Sequence, residues 1–511
     1  MRKIWMRLLA GCLAVLLNLT TTGSAWAAMP QRTGDPKFQG IPLQCFVSLA
    51  DASPSPESKV AAYTEISGKY LELGKPEQSK KVLEKSLVAS KDITTPSLKA
   101  FALLDTAGRL TKASQTKLAV SALDDALAIA KTLPEPVDRV FANIKIAQAY
   151  GDAGKKEKAQ NLLADATQGT PEIIDAYARS RAFAAIANVY TELGDDFNSE
   201  ASISAATDLL PMIDDRNTKA RARVEIAGSY AQAGNHAKAV ASLDAVFQEF
   251  DAIRDNVITS AKEAASKAAK NIKKTAPKLA NKALKDSVPT KDVTPADPKV
   301  VEQTANANAE MLKMRSLFLV ASQYITSKQY DKALEVIGNL DQNSVEKSVG
   351  IANVAIAYAK DKKTDEAIKL FDQSLQGLST MNPSIDVFTL LVEVGRQYHN
   401  IQATELANKA FEQSLTIAQK LTQPIDRLFA LNIIGSTYGE FGITDKVDAI
   451  LQDSLAIAKT APDPNIRSRA YSDISSAYWS IGQRDKAKEI AQTIENPSEK
   501  EQLEKLFACA K

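Results

Sequence analysis

The chain has 511 residues, 45% of them hydrophobic, with few aromatics, two His, and 63 Lys and Arg against 61 Asp and Glu. A formal charge of +2 on so long a chain argues against a general binder of nucleic acid. Two histidines without partner spacing offer neither a zinc site nor a nucleophile relay.

The start, Met1 to Arg7, is basic, and Leu8 to Leu19 is an apolar run too short to span a bilayer. Ala25-Trp26-Ala27 places small residues three and one before a cut. Residues 1–27 are therefore expected to be a secretory signal peptide, with the mature chain starting at Ala28. Leu9-Ala10-Gly11-Cys12 looks like a lipoprotein box, but Arg7 leaves almost no apolar segment before Cys12, and the cut after Ala27 fits better. Loss of Arg2, Lys3 and Arg7 turns the formal charge from +2 to −1. The expected destination is an exported one: periplasm, extracellular space or a thylakoid lumen. Residues 28–57, rich in Pro and Ser, read as an N-terminal tail whose apolar piece, Phe46-Val47-Ser48-Leu49, covers the first helices beyond residue 57.

From residue 58 one unit recurs. Taking its Tyr as origin, the unit repeats at Tyr70, Leu110, Tyr150, Tyr190 and Tyr230, and again at Tyr324, Tyr358, Tyr398, Tyr438 and Tyr478. Four residues before the origin stands an apolar residue or Thr, and three before it a small one, as at Ile146 and Ala147. That spacing makes one stripe of an α-helix, with the small residue admitting a close neighbour. Four residues after the origin, six copies have Gly, where a helix ends in a left-handed cap. Nine residues after it comes a small residue or Val, and thirteen after it Leu, Ile or Phe in nine of ten copies. Nine and thirteen differ by four, so a second amphipathic helix packs back on the first. Each unit is a helical hairpin, with five expected over 58–250 and five over 311–495.

The order small, Tyr, Gly, Ala, large apolar at these spacings resembles the tetratricopeptide repeat over about residues 58 to 495. Pro171 and Pro211, each twenty-one residues after a repeat Tyr, match that repeat's late Pro. Only the step from Tyr324 to Tyr358 has the usual thirty-four residues; most others are longer by six, often with Pro in the connection, as at Pro134 and Pro424. The resemblance implies an all-α, right-handed α-solenoid of about ten hairpins, in an exported bacterial or cyanobacterial member, with protein or peptide as the partner. It also implies that ligands lie along the concave face of the first helices, nine, six and two residues before the Tyr and just after it. By position this names Gln148, Arg181, Asn188, Arg221, Arg315, Arg396, His399, Arg469 and Trp479. The Lys and Asn pair that clamps a terminal carboxylate in some members is missing, since Ala184 stands four residues before Asn188.

Between Tyr230 and Tyr324 the rhythm fails. Residues 251–310 read as an insert, in which 261 to 285 carry eight Lys against Glu263 alone, followed by a linker with Pro289, Pro295 and Pro298. A solvated Lys/Ala helix is the plainer expectation; the alternative is an envelope tether in which Lys262–Lys285 docks on anionic lipid or polymer. At the other end, 496–511 is expected to be a capping helix, with Ser498 and Glu501 as its capping box. Cys45 and Cys509 stand at opposite ends of an elongated array, so free buried thiols or an intermolecular bond are expected in preference to a mutual bridge.

Eleven residues before the origin, nine copies carry a cation: Lys59, Lys99, Arg139, Arg179, Lys219, Lys313, Lys347, Arg427 and Arg467, with Val387 as the exception. A cation at a helix start opposes the macrodipole, so another acceptor must hold it. The carbonyls ending the preceding second helix, or an acidic side chain there, are the expected acceptors, and the functional alternative is a ladder that binds a polyanion. His236 and His399 read as turn residues, and no catalytic residue, cofactor or metal is expected.

Overall fold

The computed structural model describes residues 37–38, 41–279, 297–342 and 344–510. The expected signal peptide, its cut at Ala28 and the stretch 280–296 lie outside the described residues.

A two-residue antiparallel ladder, β1 (Lys37–Phe38) with β2 (Ile41–Pro42), leads into α1 (Leu43–Asp51). Ten hairpins follow. The first four are α2 (Pro56–Glu72) with α3 (Pro76–Ser90), α4 (Pro96–Lys112) with α5 (Thr116–Ala130), α6 (Pro136–Asp152) with α7 (Lys156–Gly169), and α8 (Ala176–Glu192) with α9 (Asp196–Asp208). The next three are α10 (Arg216–Gln232) with α11 (His236–Leu279), α12 (Pro298–Thr326) with α13 (Tyr330–Gly338), and α14 (Val345–Lys360) with α15 (Thr364–Ser379). The last three are α16 (Ile385–Asn400) with α17 (Thr404–Lys420), α18 (Pro424–Glu440) with α19 (Val447–Thr460), and α20 (Pro464–Ser480) with α21 (Arg484–Gln492); α22 (Pro497–Cys509) ends the chain. First helices thus carry even numbers and second helices odd ones. The fold is an all-α array of tetratricopeptide-like hairpins. It divides into two compact units, one formed by the chain up to Ala166 together with the chain from Asp341, the other by Thr167–Leu340.

The turn between the helices of a hairpin is the same in every copy. The residue four after the origin has positive φ, from 67° to 84° at the six glycines and from 59° to 64° at Ser114, Lys328, Lys362 and Gln402. The next amide donates to the carbonyl of the origin residue, as Lys155 to Tyr150 at 2.8 Å and Gln483 to Tyr478 at 3.0 Å. This is the left-handed helix stop in which a bond from the second residue past the cap satisfies an orphan carbonyl. Starts are equally local: Pro opens α2, α4, α6, α18 and α20, and Asp175, Asp215, Ser344 and Ser384 accept from backbone amides of the first turn.

The small residues face each other inside each hairpin. Ala147 and Ala159, Ala355 and Ala367, and Ser475 and Ala487 are fully buried. The side chain thirteen after the origin sits against the residue three before it: a Cβ added to Gly395 would lie 2.5 Å from Phe411, and one added to Gly435 would lie 2.8 Å from Leu451. Tyr150, Tyr324, Tyr398, Tyr438 and Tyr478 are buried, as the repeat requires, whereas Tyr230 and Tyr358 are half-buried.

Three expectations change. The Lys/Ala stretch is no separate insert at its start: α11, the second helix of the fifth hairpin, runs on for 44 residues to Leu279 and packs along α12. The last helix is capped by Asn496, whose side chain accepts from the amides of Ser498 and Glu499, and Pro497 opens it, so the Ser498–Glu501 box lies two residues too late. Cys45 and Cys509 form a disulfide, with Cα atoms 5.7 Å apart. They do so because α1 packs against α22, which brings the two ends of the chain together within the larger unit. As expected, the apolar piece of the tail covers the first hairpin, with Val47 in one cluster with Val60 and Tyr63.

Candidate functional site

Residues on the first helices are constrained on the side facing the second helix and variable on the other. The row of cations eleven before the origin belongs to the constrained set. Lys99 donates to the carbonyl of Lys91 at 2.7 Å, Arg139 to those of Leu133 and Pro134 at 2.9 and 2.8 Å, and Arg467 to that of Ala461 at 2.7 Å. In these three copies the acceptors are carbonyls that close the preceding hairpin, whereas Lys313 is held by Asp251 at 2.8 Å and Arg467 also pairs with Glu495 at 2.7 Å, so these members of the row are architecture.

In the smaller unit the variable face is basic. Arg181, Arg221 and Arg315 occupy the same register on α8, α10 and α12, with Arg221 exposed and Arg315 half-buried. Arg181 donates to both carboxylate oxygens of Glu225, at 2.9 and 3.1 Å, and its guanidinium lies 5.5 Å from the centre of the Tyr177 ring. Burial pushes the Glu225 carboxyl up, against the pull of Arg181. Asn188 and Glu225 line a cavity of about 180 Å3 with Ala184, Ala185, Leu319 and Gln323. Gly228 lets α12 close on it, since a Cβ there would lie 2.8 Å from Leu319.

In the larger unit several candidates are committed to packing. Arg396 donates to the Thr437 hydroxyl at 3.0 Å and lies 3.4 Å from Glu440, joining α16 to α18. The His399 ring lies 4.1 Å from that of Phe441. Gln148 is half-buried, and exposed Arg469 pairs with Asp473 at 3.3 Å. Trp479 must be corrected: it is 2% exposed and stacks on Phe507 of α22, ring centres 4.1 Å apart at 4°, so it anchors the last helix and is closed to ligands. His236 is likewise no idle turn residue. Its Nδ1 lies 2.7 Å from the Tyr324 hydroxyl and its Nε2 3.2 Å from Glu335, tying the fifth hairpin to the sixth.

The residues that sequence reasoning missed are apolar. Phe101, at the register of the arginines, is 64% exposed, and Phe429, at the same register, heads towards Ile433 on an exposed stripe of α18. At this register the smaller unit has arginines in three copies, while the larger unit has exposed Phe101 and Phe429 beside exposed Arg469. The signal was present in the same row that named the arginines, but an exposed Phe reads from sequence as core.

No family model matches the sequence, and no curated protein matches it. Among solved structures, the chain is similar to Ton1535 from Thermococcus onnurineus at 16% identity, covering 81% of this chain and 98% of that one, with a TM-score of 0.30. It is similar to a putative kinesin light chain with nearly identical TPR-like repeats from Podosopora anserina at 21% identity, covering 38% of this chain and 95% of that one, with a TM-score of 0.28. A Rap protein complexed with competence and sporulation factor aligns at 11% identity over 79% of this chain and 98% of its own, with a TM-score of 0.25. The hairpin assignment rests on the register of the ten copies and not on these distant likenesses.

Proposed function

We propose that the protein is a non-catalytic scaffold that binds protein or peptide segments along the variable face of its first helices and serves complex assembly or organisation. One observation carries this. Ten hairpins hold a single register while the residues at the ligand positions differ in charge and polarity from copy to copy, which suits many modest contacts spread along an extended partner. An exported location is the accompanying reading. It is supported by the basic, then apolar start of the chain and by the Cys45–Cys509 disulfide, a bond that persists in oxidising compartments.

The test is panning of a displayed random-peptide library on the full chain, followed by affinity measurement on variants. Arg221→Gln or Phe101→Ala on first helices should weaken selected peptides, whereas Glu405→Gln on a second helix should not. Peptides indifferent to every first-helix change would overturn the reading. A tether is the second reading, favoured by exposed Lys267 and by the exposed Val257 and Val300 on the paired stretch of α11 and α12. Co-sedimentation with anionic vesicles that survives deletion of 261 to 285 would remove it.

A further inference from the structure

The seventh to ninth hairpins, all in the larger unit, repeat two further positions at the starts of their first helices. Thirteen residues before the origin stand Val345, Ile385 and Ile425, and twelve before it Glu346, Asp386 and Asp426. Both rows occupy the opening turns of α14, α16 and α18, and none of the six side chains is buried. Ile425 continues into Phe429 and Ile433 at successive turns, 38%, 36% and 42% exposed, so the apolar row runs on along α18. Among the described residues no three acidic or other ligating side chains converge closely enough to hold a metal ion, so the three carboxylates form a line and not a cage.

The line lacks counter-charge. No described Lys or Arg forms a salt bridge with Glu346, Asp386 or Asp426. Lys347 follows Glu346 and Arg427 follows Asp426, but the middle acid is followed by buried Val387, the one gap in the row of cations. Burial, and then the charges of Glu346 and Asp426, push the Asp386 carboxyl above its ordinary value. Acids in a first helical turn are ordinarily favoured by the macrodipole. That explains one acid per helix, yet it explains neither the missing cation beside the most crowded one nor the apolar row alongside.

We propose that these rows seat an extended peptide segment carrying a cationic side chain at every third residue, with apolar side chains between them. Packed helices lie about 8–10 Å apart, and an extended chain in the polyproline II form rises about 3.1 Å per residue with about three residues per turn, so every third side chain returns to the same face one step along the array. The cations meet Glu346, Asp386 and Asp426 in turn, and the apolar side chains lie on Val345, Ile385 and Ile425. Val345 also borders a shallow open depression with Thr380, Met381 and Asn382, over which one end of the segment lies. This rests on the first-helix face being the binding face and narrows its partner to one class of charge and spacing.

Fluorescence anisotropy with labelled fifteen-residue peptides tests it on the full chain. The set contains a repeated Lys-Leu-Ser peptide, its Glu-Leu-Ser counterpart, and a peptide of the first composition with its lysines clustered. The spaced-lysine peptide should bind best, more weakly as salt rises, and about tenfold more weakly to E346Q/D386N/D426N. The matched variant E366Q/E405Q/D453N, altered on second helices of the same hairpins, should keep full affinity. Loss of three first-turn acids should lower the melting temperature of E346Q/D386N/D426N by a few degrees at most and leave its helical circular-dichroism signal unchanged, which separates lost binding from lost folding. Failure of the spaced-lysine peptide to bind, equal binding of the clustered one, or undiminished binding to E346Q/D386N/D426N would each overturn the inference. Binding of the acidic peptide alone would also overturn it while leaving the broader scaffold reading standing, and that reading is decided separately by library panning.

Discussion

Gly395 has no room for a methyl group, because the Phe411 ring from the second helix of its own hairpin fills that space. Gly395→Ala should destabilise by about 1–3 kcal/mol through overpacking. Adding Phe411→Leu should recover much of the loss in thermal unfolding of the double variant, and additive losses would show that the two do not share a contact. Single residues were only partly legible in the sequence. The six glycines announced the left-handed stops, but Ser114, Lys328, Lys362 and Gln402 adopt the same φ, held there by the surrounding turn, and nothing in their side chains predicts it. Trp479 fits the ligand register by counting, yet Phe507, twenty-eight residues later, covers it.

Successive second helices are fastened by recurring carboxylates. Asp124 on α5 accepts from the Tyr150 hydroxyl and pairs with Lys158 on α7 at 2.6 Å. Asp51 does the same for Tyr63 and Lys85, and Asp448 pairs with Lys486 at 2.6 Å. Burial would raise Asp51 and Asp124, but hydrogen bonds from Lys and Tyr outweigh it, and the Lys486 bond leads at Asp448; all three carboxyls end below their ordinary value. Their contribution is therefore present above the ordinary carboxylate range and lost as pH falls through the folded values. Asp124→Ala should cost about 1 kcal/mol or more by leaving the Tyr150 hydroxyl without its acceptor, and Lys158→Met about half that or less, because an exposed ion pair contributes little. Urea unfolding of the two variants checks the order, and a larger loss for Lys158→Met would reverse the assignment. Helix pairs were readable because their apolar rhythm is local. The start of α22 was misplaced because Asn496 and Ser498 are both competent caps, and Pro497 at the first helical position decides for the earlier one.

For the molecule as a whole, the joining of the chain ends is the largest departure from the sequence reading. Counting repeats separates Cys45 from Cys509 by 464 residues, and only packing of α1 on α22 shows that they meet. A bridge across so long a segment restrains the unfolded chain strongly, so Cys45→Ser with Cys509→Ser should lower stability by about 2–5 kcal/mol. Non-reducing mass analysis of the protein made under oxidising conditions should find one peptide pair containing Cys45 and Cys509 and no disulfide-linked dimer; free thiols or a covalent dimer would refute the bridge. The division into two units, and the differing side chains at one register, with Arg181, Arg221 and Arg315 in one and exposed Phe101 and Phe429 beside Arg469 in the other, was not visible in any single repeat. It emerges only when one register position is followed through all ten. Hydroxyl-radical footprinting of the full chain with and without a panned peptide tests the central claim most directly, because it reads side chains and not backbone. Protection concentrated on first-helix residues such as Phe101, Phe429 and Ile433 is the predicted result, and protection confined to exposed second-helix side chains such as Val88 and Phe197 would contradict it.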